Sequence, residues 1–244
     1  ATLNTENVVV NSTSAGQQIS NLKDYEIVTI KKEDNFNKLA QSYFQSSKNL
    51  IVLIDTSFSK AFKRLQWFTT REKFEMPVTQ VFILTVNTNP TSIQLEIKNE
   101  VTKQDLKNVV AVLPGKSKKD EYVVFGGHYD HLGIGRPDKN MDSIYNGAND
   151  DAAGTTAVMM LANYFSKLKN NERTLIFVAF TAEEVGGFGS RFFSKQKKKK
   201  KVVAMFNIEM IGTESKWGKN SAYITGFEKS DFGTILQNNL KGTN

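Results

Sequence analysis

Seven side chains in four short segments have types suited to holding a cation or moving a proton. His128 and Asp130 lie in GGHYDH, Asp150 and Asp151 in NGANDDAAG, Glu183 and Glu184 in FTAEE, and Glu209 in FNIEM. Gathered at one place, carboxylates raise one another's pKa values unless a cation compensates. A hard or borderline divalent metal, or a pair of them, resolves that repulsion. Imidazole with carboxylates and no thiolate suits zinc, and equally cobalt or manganese.

The chain has 2 histidines, His128 and His131, both in the same turn. Asp130 stands two residues after His128, where its carboxylate is expected to hold the second ring nitrogen, fixing the tautomer and raising the basicity of a metal-bound imidazole. No comparable convergence supports His131, which reads as a structural histidine. Asp150 and Asp151 open a helix, so stabilisation by its N-terminal end and a metal-facing role are both open to the pair. The dipeptide Glu183-Glu184 is a weak signal alone, but the GGFGS run behind it allows a tight backbone near a site.

These side chains must be positioned by the elements around them. Apolar runs at Asn108 to Leu113, Tyr122 to Phe125, Thr174 to Phe180 and Val202 to Ile208 read as strands, and the charged KSKKDE as a turn before the second. Helices are expected over Thr155 to Leu168, Gly189 to Lys199 and Phe232 to Leu240. This alternation is the pattern of an α/β fold with a mostly parallel central sheet flanked by helices. Such sheets place ligands outside the carboxyl ends of their strands, where the four segments fall.

Residues 1–100 read as a small mixed α/β subdomain without evident chemistry, and 101–244 as the second domain. In the first, the opening thirty residues are polar, with one strand candidate at Asn7 to Val10. A helix follows at Phe36 to Phe44 and a strand at Ile51 to Ile54. Thr56 or Ser57 is expected to cap the next helix, whose apolar face is Phe58, Ala61, Phe62, Leu65 and Phe68. Val81 to Val86 and the alternating Ile93, Leu95 and Ile97 are further strands.

The 244 residues, 39% hydrophobic, suffice for one large domain or a domain with a smaller companion. The absence of cysteine excludes a cysteine nucleophile, a disulfide framework, a thiolate-held zinc and an iron–sulfur cluster. Of the net charge of +7, six positive charges belong to KQKKKKK, Lys195 to Lys201. The basicity is therefore one local run, read as a solvated helix end peripheral to chemistry, and specific nucleic-acid binding is not expected. No stretch is apolar enough to span a bilayer. The chain opens with Ala1 and no signal-peptide pattern, and is expected to be a processed or trimmed product, secreted or periplasmic.

From about Asn108 to the C-terminus, GGHYDH, NGANDDAAG, FTAEEVGGFGS and FNIEMIG together resemble the M28 family of zinc peptidases, in the family's order. The resemblance implies a di-zinc site, with His128 a ligand of one metal and Asp130 its orienting carboxylate. Asp150 is similar to the bridging aspartate and Asp151 to the polar residue beside it. Glu183 resembles the general base and Glu184 a ligand of the second metal. Glu209 stands where many members have Asp, as the other ligand of the first.

The family's second metal also takes a C-terminal histidine, and none follows Glu209 in this sequence. The resemblance therefore implies a truncated domain whose second site is incomplete and which turns over little substrate alone. The implied activity is that of a zinc-dependent aminopeptidase acting on peptides or proteins with a free N-terminus. The alternatives are another amide hydrolase or glutaminyl-cyclase-like acyltransferase on the same scaffold, and a noncatalytic binding protein.

Overall fold

A computed structural model describes residues 3–69, 71–196 and 201–241. The chain divides into two compact units, Ala1–Gln104 and Asp105–Asn244. Among the described residues no helix is long and apolar enough to cross a membrane.

The first unit is built on β1 (Val8–Asn11), β2 (Gly16–Ile19), β3 (Glu26–Ile30), α1 (Phe36–Phe44), β4 (Leu50–Ile54), α2 (Ser59–Thr69), β5 (Gln80–Leu84) and β6 (Leu95–Lys98). Its sheet has the order β1-β5-β4-β3, with β3, β4 and β5 parallel and β1 antiparallel at the edge. All five residues of β4, LIVLI, are buried, as a central strand covered on both faces requires. Leu50, Val52 and Ile54 share one cluster with Phe36, Ala40, Phe62 and Leu65 of the helices. Ile51 and Leu53 point the other way, to Ile19 and Ile97 of the β2–β6 ribbon.

β2 and β3 lie in the stretch expected to be polar with a single strand. β3, EIVTI, is an edge strand with mixed exposure, so its apolar content is diluted by neighbours such as Lys31 and Lys32. The expected cap at Thr56 or Ser57 is corrected as well. Asp55 accepts the Ser57 N–H at 2.8 Å and starts a short 3-10 turn, Thr56–Phe58, that leads into α2.

The second unit contains β7 (Val109–Leu113), β8 (Lys118–His128), β9 (Gly133–Ile134), β10 (Ile144–Tyr145), α3 (Ala153–Leu168), β11 (Arg173–Phe180), α4 (Phe188–Gln196), β12 (Lys201–Asn207) and α5 (Phe232–Asn239). The main sheet runs β12-β8-β11-β7. The first three strands are parallel and β7 is antiparallel to β11. Alternation along the strands separates two cores. Phe125, Leu175 and Phe177 meet Val158, Leu161 and Phe165 of α3 on one face. On the other face Tyr122, Val124, Ile176, Val178 and Phe180 meet Phe193 of α4. The mostly parallel sheet flanked by helices is thus present.

β8 is longer than its apolar segment. Lys118 to Glu121, expected as a turn, continue the strand because Lys118 pairs in register with Arg173 and Glu121 with Lys201. An Arg173 Nε to Glu121 Oε2 ion pair of 2.7 Å ties that charged end to β11. Of the lysine run, residues 197–200 lie outside the described residues.

Candidate metal centre

The parallel strands deliver the polar segments to one edge of the sheet. β8 ends at His128, β11 is followed by Thr181 to Glu184, and β12 by Glu209, while the turn before α3 carries Asp150 and Asp151. A cleft of about 280 Å³ at that edge is lined by residues including His128, Glu183, Ser190, Asn207 and Glu209.

His128 is 3% exposed. Its Nδ1 lies 2.9 Å from the main-chain carbonyl of Asp130. A carbonyl only accepts, so Nδ1 carries the proton and Nε2 presents its lone pair. That lone pair faces Asp150 Oδ1 at 2.9 Å. Two acceptors this close require a proton or a cation between them. Burial is the largest single influence on the imidazole and pulls its pKa down. The Asp130 carbonyl and the carboxylates of Asp151, Glu183 and Asp150 together outweigh it, and the net shift is upward. Ligand atoms of His128, Asp150 and Glu209 all lie within 4.8 Å of one another. One nitrogen and two carboxylates are donors of the kind zinc takes, and the close Nε2–Asp150 approach is one that either a proton or a cation would hold together.

Asp130 orients His128 by a different atom from the one expected. Its main-chain carbonyl holds the ring, whereas its carboxylate lies 3.6 Å from Nδ1. Oδ1 and Oδ2 instead accept the main-chain N–H groups of Glu183 at 3.0 Å and Glu184 at 3.3 Å. Asp130 thereby fixes the β11 turn relative to the β8 turn.

Asp151 is 2% exposed and points inward. Its Oδ2 accepts the His128 N–H at 3.1 Å, and its Oδ1 accepts the N–H groups of Gly154 at 3.1 Å and Met210 at 3.2 Å. One carboxylate therefore ties together the end of β8, the start of α3 and the segment after β12. Burial pushes its pKa up, against the pull of those three donors. Such close convergence needs Gly154, where a Cβ would sit 2.1 Å from the Ile208 carbonyl oxygen and 2.5 Å from Asp151 Oδ1. Sequence reasoning placed Asp151 only beside the bridging position, because main-chain donors leave no mark in residue types.

Glu183 lines the same cleft as His128 and Glu209. Burial raises its pKa first, and Glu209, Glu184 and Asp130 add to this against the opposing pull of His128. A carboxyl shifted toward neutrality beside a cation site has the character of a general base. Glu184 turns to a second group, in which its ligand atom lies within 4.8 Å of those of His131 and Asp150. His131 Nδ1 is 2.5 Å from Glu184 Oε1. Asp150 belongs to both groups. His131, read from sequence as structural for want of converging groups, is brought by the fold to Glu184.

The sequence model of Peptidase family M28 matches residues 108–240, more than half of the chain. The chain belongs to peptidase family M28. Among its relatives, a protein of Pyrenophora teres f. teres named "Probable zinc metalloprotease" is 36% identical over 110 residues, 44% of this chain and 23% of that protein. "Vacuolar membrane protease" of Schizosaccharomyces pombe is 29% identical over 161 residues, 65% of this chain and 18% of that protein. "Aminopeptidase NAALADL1" of Mus musculus is 24% identical over 128 residues, 49% of this chain and 16% of that protein. The chain spans less than a third of the length of these curated relatives. The M28 match takes in all four segments that build the edge described above, and leaves the first unit outside it.

Proposed function

We propose that the second unit is the metal-binding part of a zinc-dependent peptidase, and that its reaction is removal of a residue from the free N-terminus of a peptide. The observation that carries this reading is the His128–Asp150–Glu209 group, with Glu183 in the cleft that His128 and Glu209 line. Family membership and the relatives' names support zinc and peptide hydrolysis. The aminopeptidase reading rests on the likeness of the four segments and on one relative's name.

His128 Nε2, Asp150 and Glu209 would hold the first ion, with the Nδ1 hydrogen bond to Asp130 fixing the ring that donates the lone pair. When bound, zinc supplies Lewis acidity, which makes water a usable nucleophile near neutral pH and polarises a carbonyl. Glu183 takes the proton from the attacking water and returns it to the departing amine, the two transfers a single carboxylate can make in sequence. Asp130 keeps Glu183 within reach by holding its main-chain N–H.

The test compares zinc-loaded and chelator-stripped protein on aminoacyl amides, on the same compounds N-acetylated, and on peptides beginning with glutamine. Zinc-dependent cleavage of the free amides and not of the acetylated ones is the expected result. Cleavage of internal bonds in blocked peptides would replace the aminopeptidase reading with another amide hydrolase. Ring closure of N-terminal glutamine would replace it with a cyclase. Protein that retains no zinc and cleaves none of these is a noncatalytic M28-like domain.

A further inference from the structure

We propose that Asn108, which lies outside all four chemical segments, is a positioning residue for Glu183: its side-chain amide closes the neck of the loop that carries the base. The inference rests on the zinc-peptidase reading and deepens it, by naming a second hold on that loop besides Asp130.

Residues Thr181 to Gly189 leave β11 and enter α4 as a loop whose ends meet. The Thr181 carbonyl accepts the Gly189 N–H at 3.0 Å, and the Ala182 carbonyl accepts the Phe188 N–H at 3.0 Å. Further out, the Glu183 carbonyl accepts the N–H groups of Gly186 and Gly187, each at 2.9 Å. Asn108 adds the remaining link at the neck. Its Oδ1 accepts the Thr181 N–H at 3.1 Å, and its Nδ2 donates to the Gly189 carbonyl at 2.9 Å. An N–H only donates and a carbonyl only accepts, so the two partners fix which way the amide faces. Aspartate in its place would offer the acceptor without the donor, and leucine neither.

The backbone of the loop needs such a hold. Ala182, immediately before Glu183, is 5% exposed with φ of +55°, a left-handed conformation that a residue with a Cβ keeps only where its surroundings impose it. Gly189 stands second in α4, where alanine would favour the helix. A Cβ there would fall 2.3 Å from Asn108 Oδ1 and 2.5 Å from the Thr181 carbonyl oxygen, so glycine is the residue that admits the amide. The segment bearing Asn108 is tied in turn to the residues after β8. Tyr129 Oη donates to the Lys107 carbonyl at 2.7 Å, and Asp130 beside it accepts from the Glu183 and Glu184 N–H groups. Asn108, the Tyr129–Asp130 turn and the Glu183 loop thus close a circuit with the base at one corner.

The experiment measures amide hydrogen exchange by NMR on the metal-free 244-residue chain, then zinc content by elemental analysis and hydrolysis of aminoacyl amides by the zinc-loaded chain. Asn108→Leu removes both hydrogen bonds at similar volume, Asn108→Asp keeps only the acceptor, and Gly189→Ala forces the neck apart from its other side. Circular dichroism verifies folding, and Gly189→Ala is the deciding variant if Asn108→Leu fails to fold. In both of these the N–H groups of Thr181, Glu183, Phe188 and Gly189 should exchange at least about tenfold faster, while those of Ile176 and Val178, buried in β11, keep the parent rate. The value of kcat should fall roughly 10 to 100-fold, the scale of a small misplacement of a reacting group, with KM and zinc content unchanged. Asn108→Asp should lie between these variants and the parent.

Parent exchange rates over residues 181–189 in the folded variants would overturn the inference. So would equal acceleration at Ile176 and Val178, which marks a general loss of stability. A Gly189→Ala variant more stable than the parent would overturn it too, since that is the gain of an ordinary helix alanine. A loosened neck with unchanged kcat would show that Asn108 does not position the base. A parent that hydrolyses nothing with zinc bound would instead defeat the peptidase reading, and the exchange rates would still decide whether Asn108 holds the loop.

Discussion

Both units carry parallel strands with helices against them, and each opens a depression at the carboxyl ends of those strands, yet among the described residues only the second gathers groups fit for a cation. In the first unit the depression, about 240 Å³, is lined by residues including Lys31, Lys32, Glu33 and Asp55. Charges of both signs meet there, and Asp55 is already engaged by the Ser57 N–H. In the second unit the edge brings together Asp130, Asp150, Glu183, Glu184 and Glu209 with two imidazoles, joined by hydrogen bonds to one another and to main-chain groups. Strand-end placement is therefore a shared property of the architecture. What distinguishes the second edge is the convergence of several carboxylates on two imidazoles.

The sharpest way to break this comparison is to remove the base while leaving the ligands. Glu183→Gln keeps the shape and is expected to lower zinc-dependent turnover by roughly 10² to 10⁴-fold, the usual contribution of a positioned general base. Zinc content, read by elemental analysis, should stay at the parent value. Loss of stoichiometric zinc would mean that Glu183 is a ligand and that its roles and those of Glu184 are reversed.

Next in size is the buried carboxylate. Asp151→Ala leaves the N–H groups of His128, Gly154 and Met210 without their acceptor, and at about 1 kcal/mol or more for each, the loss should reach about 3 kcal/mol. Thermal denaturation measures this, and zinc affinity should fall with it because His128 and the Glu209 segment lose their common anchor. A variant as stable as the parent would show that Asp151 does not hold the three segments together.

The elements that were legible in the sequence are those whose own residues decide them. α1 spans Phe36–Phe44 as its periodicity predicts, and the four chemical segments stand at the strand ends where the alternation of strands and helices puts them. Strand direction was not legible. β7 is antiparallel to β11, and a short apolar run reads the same in either sense. The charged start of β8 was missed because pairing with Arg173 and Lys201 decides it from outside the segment. Within the site, the residue types were visible but their partners were not. Asp130 uses its carbonyl where its carboxylate was expected, Asp151 takes three main-chain donors, and His131 reaches Glu184 across 53 positions of sequence.

That exchange of roles at Asp130 sharpens the comparison within the site itself. Asp130→Asn retains the main-chain carbonyl that holds His128 but replaces one of the two oxygens that accept from Glu183 and Glu184 with an N–H₂ group. The donor would then face a main-chain donor. Zinc affinity is expected to fall by about 10 to 100-fold, the range for an outer partner of a metal site. Chelator competition measures the affinity, and an unchanged value would show that the Asp130 carboxylate does not position the metal site.

The smallest effect is expected at Asp55, the first unit's counterpart of a strand-end aspartate. Ser57, through its side chain and then its main-chain N–H, holds the Asp55 carboxyl below the usual range, with Lys32 adding to the shift against some opposing desolvation. A carboxyl lowered on folding stabilises the protein above its unfolded pKa, about 3.9, and that contribution is lost as the pH falls through the lower, folded value. Asp55→Ala should therefore lower the thermal midpoint slightly at pH 7, with the gap to the parent narrowing below about pH 4. Zinc stoichiometry and hydrolysis should not change. The same substitution at Asp151 should change both, because there the carboxylate is buried between segments that carry ligands, whereas Asp55 starts one exposed turn. A change in zinc binding on loss of Asp55 would mean that the strand-end edge of the first unit takes part in the metal chemistry, and the division between the two edges would fail.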